Sequence, residues 1–174
     1  MKKYAVVVVV LMMLAASYAA GEDVVIKVQA VNEQGLGKEI GTITASDSTY
    51  GLILTPRLSD LAPGLHGFHV HEKPDCMPSM KDGKAVAALA AGGHLDPANT
   101  GKHEGPYGMG HLGDLPALYV AADGKATLPV LAPRLKVANL KGRSIMIHAG
   151  GDNYSDTPEK LGGGGPRVAC GIVK

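Results

Sequence analysis

The sequence predicts an all-β fold, a sandwich or barrel of about eight short strands, on three observations. Apolar residues alternate with polar ones at period two along several short runs. Those runs are separated by turns rich in Gly, Pro and Asp. A sustained helical period is almost absent, and one domain without internal repeats accounts for the chain.

Residues 1–19 read as a leader rather than as part of the fold. Lys2 and Lys3 form a positive start, an apolar run follows from Val6 to Leu14, and small residues close it, with cleavage expected after Ala19. The apolar run is too short to cross a bilayer. The expected mature domain is therefore 20–174, exported to the periplasm and free of the membrane after cleavage. The chain carries 17 basic and 16 acidic residues; losing Lys2 and Lys3 leaves 15 against 16, a net charge of −1. That balance gives no case for a nucleic-acid or anionic-membrane partner. Phe68 is the only Phe and Trp is absent, so the core must be aliphatic. The two cysteines, Cys76 and Cys170, are expected to pair in an oxidising compartment.

In chain order, residues 23–31 alternate with Val24, Ile26, Val28 and Ala30 on one face and Lys27 and Gln29 on the other. Residues 40–45 and 50–55 read as the next two strands, and a fourth carries Phe68 to His71. Short turns between these four suggest an antiparallel meander. Residues 72–115 lose the pattern; such a long loop inside a compact domain points to function. Within it, 84–91 has the makings of a helical turn. Strands resume at 116–121, 126–131 and 143–149, and a glycine-rich loop at 150–166 leads to a last strand at 167–173.

Seven histidines stand out against this scaffold. His69 and His71 share one face of a strand, while Phe68 and Val70 share the other. His66 has the parity of Phe68, so it is expected to face away and serve a structural hydrogen bond. His94, His103, His111 and Asp114 lie in one loop, and three imidazoles with one carboxylate suit a tetrahedral zinc site. His69, His71 and His148 add imidazole nitrogen from two strands, and imidazole-rich sites favour copper(II).

The segments Gly64-Leu65-His66-Gly67-Phe68-His69-Val70-His71, Gly92-Gly93-His94-Leu95-Asp96-Pro97, His111-Leu112-Gly113-Asp114-Leu115-Pro116 and residues 162–171 resemble copper/zinc superoxide dismutase of the bacterial periplasmic type. The resemblance implies a flattened eight-stranded Greek-key β-barrel, an immunoglobulin-like sandwich. It implies copper on His69, His71, His94 and His148, and zinc on His94, His103, His111 and Asp114, with His94 bridging. Cys76 and Cys170 match the family's disulfide, Arg167 its active-site arginine, and Asp152 an outer carboxylate bonded to histidines of both metals. The implied activity is dismutation of superoxide to dioxygen and hydrogen peroxide, with His94 and Arg167 catalytic. Lys81 and Lys84 are candidate helpers in attracting the anion, and Tyr107 a candidate contact in a homodimer. A metal-handling protein on the same fold is the alternative, and it predicts missing ligands or a missing arginine; an adhesive β-sandwich predicts no metal.

Overall fold

The alternation at the start of the chain does what period two requires. In β1 (Val24–Asn32), Ile26 and Val28 are buried while Val25 and Lys27 face solvent. The computed structural model describes residues 22–174, so the expected leader lies outside the described residues. β2 (Gly35–Ser48) and β3 (Gly51–Leu58) follow as antiparallel neighbours. β3 runs past the predicted end and through Pro56. Proline donates nothing to a ladder, and beyond β2 the next strand covers only Leu52–Leu54, so Pro56 sits on an uncovered stretch of edge.

The expected four-strand meander stops at three. β4 (Gly64–His66) leaves the sheet, and β5 (Phe68–His71) crosses to its far edge. The long loop contains a small exposed hairpin, β6 (Ser79–Lys81) and β7 (Lys84–Val86), with Lys81 paired opposite Lys84. The expected helical turn at 84–91 is thus divided between β7 and a 3-10 turn at Leu89–Ala91. β8 (Leu118–Val120) pairs with β4, and β9 (Val130–Ala132) is shorter and later than the 126–131 strand expected; Ala126 makes only an isolated bridge to Leu58. A single α-turn (Val137–Leu140), β10 (Arg143–His148) and β11 (Arg167–Val173) complete the chain.

Seven strands form one antiparallel sheet in the order β5-β10-β11-β1-β2-β3-β9. Flat, such a sheet would span about 29 Å from edge to edge at ordinary strand spacing. Yet Phe68 and Val70 at one edge and Leu52 and Leu54 near the other belong to the same buried cluster, together with Leu118 and Val120 of β8. The sheet is therefore curled, an all-β half-barrel around an aliphatic core.

The outer face of the sheet near β5 carries a second, smaller core. Val31, Cys76, Ala88, Ala91, Met146 and Cys170 are buried together, and Cys76 is disulfide-bonded to Cys170. The bond ties the long loop to β11. Closing a loop of this length removes about 4–5 kcal/mol of unfolded-state freedom in the chain-entropy model.

Candidate metal centre

Backbone register assembles the site. β5 is bonded to β10 on one side, with Ser144 opposite His71 and Met146 opposite His69. On its other side it is bonded to two strips of the long loop: Leu95 N–H donates to Val70 O at 2.8 Å, and Val70 N–H to Gly113 O at 2.9 Å. These strips set His94 beside His71 and Asp114 beside His69. Gly113 is required there, because a Cβ would lie 2.3 Å from Val70 O. His148 comes from the end of β10, on the face that carries Ser144 and Met146.

The six histidines His69, His71, His94, His103, His111 and His148 and Asp114 are all buried. Ligand atoms of His69, His71, His94 and His148 lie within 4.8 Å of one another, as do those of His69, His94, His103 and Asp114. The second group differs from the expected zinc set by holding His69 in place of His111. His111 is nonetheless adjacent, its Nδ1 3.4 Å from Asp114 Oδ1. His94 Nδ1 is 2.9 Å from the same oxygen and His103 Nδ1 3.0 Å from Asp114 Oδ2.

Hydrogen bonds divide the ring nitrogens into two kinds. His71 Nδ1 donates to Gly92 O and His148 Nδ1 to Gly165 O, both at 3.0 Å. His69 Nε2 is 2.8 Å from Asp152 Oδ2 and His103 Nε2 2.7 Å from Asp152 Oδ1, so this one carboxylate joins the two halves. The opposite nitrogens, His69 Nδ1, His71 Nε2, His103 Nδ1 and His148 Nε2, are buried without hydrogen-bond partners, as are His94 Nε2 and His111 Nδ1. An orphaned buried nitrogen is costly, and a ring anchored by one N–H offers a lone pair at the other. The donor set fits metal. His94 alone presents one nitrogen to each half.

Electrostatics agree. Burial, then the neighbouring His94, pushes His69 down to about 3, and burial brings His148 to about 4. His71 and His94 are lowered too, burial being the main cause. These rings stay neutral, as ligands must. His103 is opposed by burial but raised to about 9 by the two carboxylates beside its ring, Asp114 and Asp152. Burial would raise both carboxyls, yet their histidine partners hold Asp114 and Asp152 well below the ordinary range.

Arg167 opens β11, its guanidinium donating to Ala88 O at 2.5 Å and Gly92 O at 2.6 Å. Its charge is felt by His71 and His148. His66 stands apart with both ring nitrogens 2.7 Å from carbonyl oxygens, of Ala62 and His148. Lys81 and Lys84 are exposed on the hairpin. Sequence reasoning passed over Asp156, which accepts the N–H groups of His103 and Leu161, and Arg134, which donates to carbonyls of the loop. An aspartate in Ser-Asp-Thr-Pro and an arginine in Pro-Arg-Leu-Lys carry no local signal of such roles.

A buried cluster of imidazoles and carboxylates, organised as two adjoining sites on the outside of a curled β-sheet, defines a two-metal protein. The family model described as copper/zinc superoxide dismutase (SODC) matches residues 39–173, and the chain belongs to that family. A superoxide dismutase [Cu-Zn] of Haemophilus ducreyi is 60% identical over 155 residues, 88% of this chain and 78% of that one. The structure of Cu/Zn superoxide dismutase from Brucella abortus is 55% identical with a TM-score of 0.87, covering 88% of this chain and 100% of that one. The monomeric copper, zinc superoxide dismutase from Salmonella enterica is 56% identical with a TM-score of 0.80 over the same shares. The cofactors are copper and zinc, and the substrate is superoxide.

Proposed function

We propose that this chain dismutes superoxide with copper on His69, His71, His94 and His148, and zinc on His94, His103, His111 and Asp114. Two superoxide anions and two protons give one dioxygen and one hydrogen peroxide. The observation that carries the assignment is the set of orphaned nitrogens: four on the copper side, His94 Nε2 among them, and two facing Asp114 on the other. His111 is preferred to His69 on the zinc side because Asp152 already engages His69 Nε2, leaving only Nδ1 for the copper side.

Copper, when bound, supplies one-electron exchange, taking an electron from one superoxide and returning it to the next; zinc supplies fixed charge. The chain's residues do the rest. His94 Nε2, free of any protein partner, holds and releases the proton that the peroxide product needs. Asp114, beside His94 Nδ1, orients that ring. Asp152 keeps the rings of His69 and His103 in the tautomers that present Nδ1 inward. Arg167, braced on two carbonyls, receives the anion.

Metal content and superoxide decay measured on one sample test the reading. Copper and zinc in equal amounts with rapid decay support it; both metals with no activity favour the metal-handling alternative.

Residues 1–19 are proposed to be a cleaved export signal and 20–174 the mature periplasmic domain, which the buried Cys76–Cys170 bond favours. N-terminal sequencing should begin at Ala20. Self-association is proposed through the loop bearing Tyr107 and Met109, which are 73% and 82% exposed.

A further inference from the structure

One side chain outside both metal groups commands the zinc-side loop. Arg134 follows β9, on the sheet edge opposite β5. Its half-buried guanidinium donates from Nε to Pro106 O at 3.1 Å, from Nη1 to Gly110 O at 3.1 Å, and from Nη2 to Gly105 O at 3.2 Å and to His111 O. All four acceptors are carbonyls of residues 105–111, which lie in no strand or helix. Without a ladder, such a stretch must find other donors for its carbonyls. A guanidinium offers its N–H groups in a rigid planar fork, so capturing four carbonyls at once fixes their relative positions.

The last of these carbonyls belongs to His111. Its own N–H donates to Lys102 O at 2.8 Å, so the residue is held from both sides. Its ring nitrogen Nδ1 then stands beside Asp114. The arm around His103 has separate anchors in Asp152 and Asp156. On the copper side, His69, His71 and His148 rest on the β5–β10 ladder, and His94 on the Leu95–Val70 bond.

We propose that Arg134 is a positioning residue for the zinc half of the centre. By gathering the carbonyls of Gly105, Pro106, Gly110 and His111 it holds His111 in place before metal arrives, setting zinc affinity without setting copper affinity. The proposal rests on the reading of His111 as a zinc ligand. A site already ordered loses less chain freedom on binding. Outer supports of metal ligands typically change affinity by about 10–100-fold when removed.

The test is competition titration of the metal-free protein with zinc alone and with copper alone, on wild type, Arg134→Met, Arg134→Lys and His111→Ala. Cobalt(II) absorption at the zinc position is recorded on each. Arg134→Met should weaken zinc at least about tenfold and alter the cobalt bands, with copper affinity within about twofold of wild type. Arg134→Lys should not restore zinc, because an ammonium cannot span four carbonyls; it gives the same readout should the methionine variant not fold. Zinc affinity within twofold of wild type in a folded Arg134 variant, beside loss in His111→Ala, overturns this proposal alone. Equal weakening of copper and zinc in the Arg134 variants also overturns it, since that marks general loosening. Unchanged zinc affinity in His111→Ala overturns the ligand reading, and this proposal with it.

Discussion

Among single residues, Arg167 has the most direct consequence. The expected mature chain is net negative, so attraction of an anionic substrate must be local. Arg167→Ile should lower the superoxide rate constant by at least about tenfold and flatten its decline with added salt, with metal content unchanged. A wild-type rate and salt slope would remove the role. Titration of the buried rings gives a second expectation, for the metal-free protein. His69 and His148 titrate at about 3 and about 4 when folded, against an ordinary 6.5. Between those values the unfolded chain holds more protons, so their contribution to stability is complete above 6.5 and lost as pH falls. His103, raised to about 9, acts oppositely: its contribution is complete below 6.5 and lost as pH rises through about 9. Urea midpoints should therefore fall from pH 6.5 to 4; a flat profile there would contradict the burial of the first two rings as neutral groups. Gly162 gives a third. It has φ +72°, and an added Cβ would meet Asp152 Oδ1 at 2.0 Å and His103 Nε2 at 2.8 Å. Gly162→Ala should displace Asp152 and shift the copper spectrum, although Gly162 is no ligand.

At the scale of elements, β5 is the piece everything else addresses. Its inner face supplies Phe68 and Val70 to the core and its outer face supplies His69 and His71 to the metals. It has two bonded flanks, a strand on one and loop strips on the other. That is why a loop with little regular structure is nonetheless held in register. His103→Ala should lose zinc while copper remains with an altered spectrum, and full zinc occupancy would reject the assignment. The disulfide acts on the other end of the loop. Reducing it removes about 4–5 kcal/mol of constraint on the unfolded chain. The small core of Val31, Ala88, Ala91 and Met146 lies beneath it, so reduction should increase amide exchange at 76–91 before it affects β1–β3. Uniform change across the sheet would contradict that order.

For the whole molecule, the curled sheet and the metal loop are two layers that share β5, β10 and β11. The outward surface of the loop carries Tyr107 and Met109, and aromatic and methionine side chains are favoured in interface cores. Sedimentation at micromolar concentration should give a dimer that Tyr107→Glu converts to monomer. A wild-type monomer, the state named for the Salmonella enterica relative, would end that proposal.

Several elements follow from local rules alone. Period-two alternation placed β1 to within a residue, because one of its faces is buried and the other is not. β10 was legible instead as a strongly apolar run, which is buried on both faces, and β11 as the strand that closes the chain after the glycine-rich loop. The parity of His69 with His71, and of His66 with Phe68, likewise needs only the pleat. Tertiary structure decided what depends on partners far along the chain. The crossing of β5 to the far edge, which ended the expected meander, is set by its pairing with β10 more than seventy residues later. The shortening to β9 and the run of β3 through Pro56 depend on which edge is covered. Asp152 alone among the loop aspartates meets both His69 and His103, and Arg134 meets four carbonyls, through contacts at long sequence separation. A residue type and its neighbours reveal the kind of bond a side chain can make; only the folded chain brings the other half of that bond within reach.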